Sequence, residues 1–480
     1  MRIPVVLCVP GSTSVAPCRC GYGIQSILPQ AEETKTCHCV IPVLSLKRLF
    51  LDKRHRNRNN RIKAAGGGLS DHSEVTVMQR DYSPFTPGIP VPVEFFVGRQ
   101  AEITHLRDKI IRASKGQLQI AFLSGERGIG KSSLASFARH LMERKNQIPG
   151  LHTFLGGVTT LTEMVRRVFD RLLKDSLDKT WHERVKDFFG DHIREVGLFG
   201  VSLEFGAGPS ELTRMVHDFA PALRSLSKRL HDRKKGLLII LNDINGLAAS
   251  EDFANWLKSL VDEIAISSAP LPLCLVLVGL EERRQSLITL QPSLARVFGL
   301  ISIEPWSNEE TREFYLNSFS KVGITVEDDA LELLIRYTGG LPAMAHEIGD
   351  AVFKKISTDC LDRVGTFMGI SDAVSIVGRK YVEPQVFQFI RSERYRSILR
   401  KVVESTNMEK LIFQRQELLS LLSQSEKRVF GNFIRKMKQM GVITDVPEMG
   451  RGCYRFCNRL YFSYFRLEAD AEKKRHVAEK

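Results

Sequence analysis

With 480 residues, 43% apolar and 26% charged, the chain has room for two or three hydrophobic cores and is neither fibrous nor disordered by composition. Its longest apolar stretches, 237–241 and 271–280, fall far short of the ~20 residues of a membrane span, so no transmembrane helix is expected. The net charge is +14, and residues 381–480 carry 20 Lys and Arg against 12 Asp and Glu, so the C-terminal end fits either an acidic partner such as nucleic acid or a solvated basic face.

Residues 1–77 differ from all that follows. They hold Cys8, Cys18, Cys20, Cys37 and Cys39, five of the nine cysteines, a basic Asn-rich run at 53–63, and no sustained periodicity. A short Pro-broken apolar start only weakly imitates a signal peptide. The C-x-C spacing of Cys18/Cys20 and Cys37/Cys39 is tighter than structural zinc sites use. A disordered extension, or a start assigned upstream of Met78, accounts for this segment.

The regular pattern begins near Phe95. A helix is expected at 100–113, then the strand 118–123, then Gly125-Glu126-Arg127-Gly128-Ile129-Gly130-Lys131-Ser132, a full G-x-x-x-x-G-K-[ST] loop, with a helix over 133–143. Glycines at these positions let backbone N–H groups turn inward around phosphate oxygens. Lys131 reaches the β- and γ-phosphates, and the Ser132 hydroxyl can ligate Mg²⁺. The expected ligand is therefore ATP or GTP, which places the protein in the cytoplasm.

Helices at 161–177 and 211–230 and strands at 237–241 and 273–278 continue a βα alternation, so the fold class is α/β with a parallel sheet over 78–306. A Gly-punctuated hairpin is expected at 196–205. The strand 237–241 delivers Asn242 and Asp243. Asp243 could hold Mg²⁺ through water or polarise the attacking water, while neutral Asn242 stands where a first acid would help both metal binding and turnover.

Beyond Pro305 the pattern turns helical. Ser307 and Glu310 form a capping box, 327–338 ends at Gly339-Gly340, and 343–356 follows Pro342, giving a helical lid over 307–384. Residues 385–469 read as a winged helix, with helices at 386–403, 416–422 and 426–440 and a strand-turn-strand wing from 441 to 465 around Gly450-Arg451-Gly452. A charged tail, 470–480, closes the chain. On the third helix Phe430, Phe433, Met437 and Met440 form the inner side, leaving Arg428, Asn432, Arg435 and Gln439 for solvent or a DNA groove, with Arg451 on the wing.

Residues 94–350 resemble the AAA+/STAND class of P-loop ATPases, in the prokaryotic branch related to archaeal replication initiators. Four separated stretches carry the resemblance: Phe96-Val97-Gly98-Arg99-Gln100-Ala101-Glu102, the loop 125–133 including Ser133, the strand ending at Asp243, and Gly340-Leu341-Pro342. The resemblance implies ATP and Mg²⁺ as ligands, contact of the Gly98-Arg99 box with the adenine, and Pro342 lying against the nucleotide. It also implies that Arg296, with Arg283 and Arg284 as rivals, senses the γ-phosphate. The strand 273–278 ends in Gly279-Leu280 rather than a polar sensor, which with Asn242 departs from the family pattern. Three functions follow: an ATP-dependent switch with slow hydrolysis, a DNA-binding initiator or regulator, or a nucleotide-locked scaffold without turnover.

Overall fold

The structure, a computed structural model, describes residues 82–177, 179–196, 202–230 and 236–478, so the expectations for 1–77 lie outside the described residues. In chain order the first strands are β1 (Gln119–Ser124), β2 (Gly150–Phe154), β3 (Ile193–Val196), β4 (Ser202–Phe205), β5 (Leu237–Asn242), β6 (Leu273–Val278) and β7 (Phe298–Ser302). Five of them form one parallel sheet in the order β2-β5-β6-β1-β7. Every residue of β5 and β6 is buried, as a parallel sheet covered on both faces demands. Alternate residues divide between two cores. Leu123, Leu238, Ile240 and Val276 pack against the helices Gln100–Ser114 and Lys131–Asn146. Phe122, Ile239, Leu241 and Leu275 face Leu161–Ser176, Phe219–Leu230 and Glu251–Ile266.

The helix expected at 211–230 is two helices, Pro209–His217 and Phe219–Leu230. Pro221 explains the break, because it lacks an N–H and its ring crowds the carbonyl one turn back. The hairpin expected near 196–205 is present as antiparallel β3 and β4, with Ile193 opposite Phe205. Phe205 anchors it beside Phe169 and Phe189, at ring separations of 5.5 and 5.2 Å.

After β7 the chain forms Asn308–Ser320, with both arms of the Ser307/Glu310 capping box made, then Asp328–Thr338, closed by Gly339 at φ 59°, and Pro342–Phe353. The short strands β8 (Thr325–Val326) and β9 (Cys360–Leu361) pair in parallel beside them. Helix Arg363–Val377 continues directly into the π-helical stretch Gly378–Phe387, so the boundary expected at 384/385 falls inside one element.

The C-terminal region comprises the helices Glu393–Ser405, Arg415–Leu421, Gln424–Gln439 and Arg459–Ala478 and the strands β10 (Ile412–Gln414), β11 (Ile443–Asp445) and β12 (Cys453–Phe456), in an antiparallel sheet of order β10-β12-β11. Two expectations are corrected here. Residues 388–392 are not helical, so the helix expected at 386–403 starts only at Glu393. Tyr461 and Tyr464 lie on the last helix rather than a strand, because Asn458 Oδ1 accepts the N–H groups of Leu460 and Tyr461 at 2.8 and 3.1 Å and caps that helix. One continuous apolar core runs from Phe314 and Leu334, on the helices that follow β7, to Phe456 and Phe465. At its seam a Cβ on Gly378 would stand 2.1 Å from the Tyr464 ring, so only glycine lets the two segments meet.

Candidate nucleotide-binding site

The glycine-rich loop joins the C-terminal end of β1, an interior strand, to the helix Lys131–Asn146. Gly125, Gly128 and Gly130 adopt φ of 150°, 78° and 95°, a range that L side chains rarely take. Space confirms the choice: a Cβ on Gly125 would lie 2.8 Å from the Ile303 carbonyl, and one on Gly128 would lie 2.8 Å from the Ala343 Cβ. Buried Ile129 pins the loop to the core, while Glu126 and Arg127 are exposed. Lys131 Nζ donates to the carbonyls of Gly125 and Glu126 at 2.9 and 2.6 Å, curling the loop around its ammonium.

Ser132 meets the end of β5. Asn242, only 3% exposed, donates through Nδ2 to Ser132 Oγ at 3.0 Å, and its Oδ1 lies 3.2 Å from the same hydroxyl. Asp243 follows in the left-handed region at φ 59° and is exposed, with its carboxylate accepting from Asn245 Nδ2. Asn245 Oδ1 in turn accepts the Leu280 N–H at 3.3 Å, so Asn245 ties the strand-end acid to the end of β6, where the sequence offered only Gly279-Leu280.

A cleft of about 330 Å³ opens beside the loop. Gly128 to Ser133 form one wall, Pro342, Ala343 and His346 another, and a strap, Thr86 to Val97, the third. Val91 N donates to Ser133 Oγ at 3.2 Å, and Phe96 stacks on Phe137 at 4.5 Å, which fastens the strap to the loop's own helix. Of the strap only Phe96 and Val97 belong to a stretch singled out from the sequence; the rest of it, with Trp306, Phe314, His346 and Tyr381, was not, because no periodic pattern marks an extended strap or residues contributed one at a time. Thr86 Oγ1 and Trp306 Nε1, both on residues lining the cleft, are buried without a hydrogen-bond partner among the described residues, as groups awaiting a polar ligand would be.

The predicted box residues divide. Arg99 lines the cleft, but its guanidinium donates to the carbonyls of Ile129, at 3.2 Å, and Glu304, and pairs with Glu102 at 3.3 Å. It therefore braces the loop from behind. Gly98 does not line the cleft; a Cβ there would come 2.4 Å from Glu310 Oε1, the oxygen that accepts the Arg99 N–H at 2.9 Å. Gly98 also sits at φ 70°. Gly98→Ala is expected to cost about 2–3 kcal/mol, from the strained φ and the displaced Glu310 carboxylate. Urea denaturation measures it, and in a Glu310→Ala background the penalty should shrink to the conformational part alone.

Pro342 lies over Gly130, and Ala343 N donates to the Gly128 carbonyl at 3.1 Å, so the helix Pro342–Phe353 rests its first turn on the loop. Arg296 is exposed on the short helix Leu294–Val297 and does not line the cleft. Of its rivals, Arg284 is held by Glu281 at 2.9 Å.

Burial, and then the neighbouring Arg127, lower the Lys131 pKa to about 8, against the pull of Asp243, Glu126 and Glu282. A phosphate at the ammonium would raise it again. Below about pH 8 free and bound forms are both charged and affinity should not depend on pH; above it, binding must take up a proton, and affinity should fall by up to about tenfold per pH unit. Titrating nucleotide from pH 7 to 9.5 tests this, and Lys131→Arg, charged throughout, should flatten the slope.

On Gln424–Gln439 the expected inner residues Phe430, Phe433 and Met437 are buried, and Arg428, Asn432, Arg435 and Gln439 are exposed, as is Arg451 between β11 and β12. Among the described residues no group of three or more His, Cys, Asp or Glu could hold a metal, and no helix is long and apolar enough to cross a membrane.

Residues 96–276 match the family model of the AAA ATPase domain. The ORC2 protein of Aeropyrum pernix, solved in ADPNP–ADP complexes, is similar in fold at 14% identity, with a TM-score of 0.51, covering 83% of this chain and 98% of that one. The Walker-type ATPase PABY2304 of Pyrococcus abyssi aligns at 16% identity and a TM-score of 0.49 over 78% of this chain and 97% of its own. No curated protein matches the sequence.

Proposed function

We propose that this chain, whose residues 96–276 match the AAA ATPase domain family, is an ATP-binding switch with slow hydrolysis that couples its nucleotide state to the C-terminal region. The observation that carries the reading is the hydrogen bond between Ser132, at the end of the glycine loop, and Asn242, at the end of β5, the strand that also delivers Asp243. Backbone N–H groups of the loop and Lys131 would hold the β- and γ-phosphates, and the unpaired Trp306 and Thr86 groups would meet the nucleoside end. Ser132 and Asp243 are the residues that would hold Mg²⁺, which supplies charge neutralisation at the phosphates and commonly takes few protein ligands. Asp243 also orients the attacking water. Because Arg296 is exposed and off its own cleft, a role at the γ-phosphate would be played in a second copy's site.

Coupling follows from packing. The lid helix touches the loop through Ala343 and Gly128, and the lid shares one core with the C-terminal region, so a displaced lid would carry that region with it. Calorimetric titration with ATP and ADP, together with phosphate release, tests the reading; absence of adenine nucleotide binding would sink it.

The exposed stripe Arg428, Asn432, Arg435 favours a second reading, in which a winged-helix C-terminal region binds DNA when ATP is bound. If these arginines contact phosphates, the double variant Arg428→Ala, Arg435→Ala should weaken binding to all sequences alike and lower the salt slope by about one per lost contact. No DNA binding at low salt by the ATP-bound full chain would leave this region as a protein-contact module.

A further inference from the structure

Helix Arg363–Val377 is apolar on two sides. Ile370, Ala373, Val374 and Val377 enter the core. On the other side Val364, Phe367 and Met368, at the i, i+3, i+4 spacing of a helical stripe, are 66%, 59% and 53% exposed. Isolated exposed apolar residues are ordinary, but a contiguous stripe ending in a groove is not. The groove holds about 430 Å³, is floored by Val364, Phe367 and Met408, itself 53% exposed, and lies between this helix, Asp328–Thr338 and the start of Arg459–Ala478.

Its rim is cationic. Arg336 is exposed and has no carboxylate within 4.0 Å among the described residues, and Arg363 is only 3.9 Å from Asp329. Arg459 stands over the Tyr337 ring at 5.7 Å and donates to the carbonyls of Met408 and Glu409 at 2.5 and 2.7 Å. Burial and the nearby Arg336 oppose the Arg459 charge, a penalty that an incoming carboxylate would relieve. Among the described residues that line the groove, Glu409 is the one acid against the three arginines, around an apolar floor.

We infer that this groove docks an amphipathic, acidic helix of a partner protein, its apolar stripe laid against Val364, Phe367 and Met408 and its carboxylates set on Arg336, Arg363 and Arg459. Charge complementarity selects an acidic partner, and the apolar floor favours a helix face over a polyanion such as nucleic acid. Since the groove spans the lid and the C-terminal region, its occupant would clamp the two together.

Fluorescence anisotropy of the full chain with labelled synthetic peptides of about 15 residues tests the proposal. One peptide has Leu at i, i+3, i+4 and i+7 and Glu elsewhere, a second has the same composition scrambled, and a third has Lys in place of Glu. Only the first should bind. Arg336→Glu with Arg363→Glu, and separately Phe367→Ser, should each weaken it by at least about tenfold at unchanged melting temperature. The inference fails if the first peptide does not bind at low salt, if the scrambled one binds as well, or if Phe367→Ser changes nothing. Equal displacement of the peptide by duplex DNA of the same charge would also overturn it, pointing to a polyanion surface.

Discussion

Lys131→Ala is expected to lower ATP and ADP affinity by roughly 10- to 100-fold, the worth of a charge-assisted hydrogen bond of about 1.5–3 kcal/mol, without unfolding the chain. Two losses combine. The cation that would face the phosphates disappears, and the Gly125 and Glu126 carbonyls, which now converge on Nζ at 2.9 and 2.6 Å, lose the donor that keeps the loop curled. Stability should move little, since burial already opposes the charge on this lysine and holds its pKa near 8. Below about pH 8 the folded protein carries that charge at a cost, so removing it tends to raise the melting temperature there rather than lower it. A lower affinity with an undiminished melting temperature is therefore the expected pair of results. Wild-type affinity in the variant would mean that the loop does not hold phosphates through this residue.

Much of this arrangement was legible in the sequence, because the strongest signals are local. The glycine loop, the buried strands ending at Asn242 and Val278, and the Ser307/Glu310 capping box each announce themselves within a few residues, and each is in place. What was not legible depends on partners far along the chain. β2 carries His152 and Thr153 in a strand that is still buried, so its pattern is not apolar enough to be read. Burial, with Arg139 and Arg171 nearby, lowers the His152 pKa to about 4 and keeps the imidazole neutral there. Tyr454 and Phe456 stand two apart, as on one face of a strand, but Tyr461 and Tyr464 stand three apart, and the Asn458 cap places them on the last helix. For the site, Gly98 and Arg99 are expected as ligand contacts by position; Arg99 lines the cleft with its guanidinium turned onto Ile129 and Glu304, and Gly98 makes room for Glu310, contacts with residues far along the chain that no local pattern announces. Thr86 and Trp306 lie 220 residues apart and share the cleft only because the strap folds back over the loop.

The strand-end pair should separate binding from turnover. Asp243→Asn is expected to reduce phosphate release by about 10²- to 10⁴-fold, the usual worth of a positioned base, while nucleotide affinity stays within a few-fold. The fold should survive. Asn tolerates the left-handed φ of 59° at least as well as Asp, and its side-chain oxygen can still accept from Asn245 Nδ2. Asn242→Asp works in the opposite direction. The new carboxylate would be nearly buried and would lose the Nδ2 donor that now serves Ser132 at 3.0 Å, although the Ser132 hydroxyl can turn and donate to it. Without nucleotide this should cost about 1–3 kcal/mol and lower the melting temperature. With Mg²⁺ and ATP, a metal beside Ser132 would offset the buried charge, so the melting temperatures of variant and wild type should converge and phosphate release should rise. Thermal melts with and without Mg²⁺–ATP, run beside turnover assays, check both halves. Unchanged turnover in Asp243→Asn would show that the acting acid lies elsewhere, and a melting deficit in Asn242→Asp that persists with Mg²⁺–ATP would show that no metal is held at Ser132.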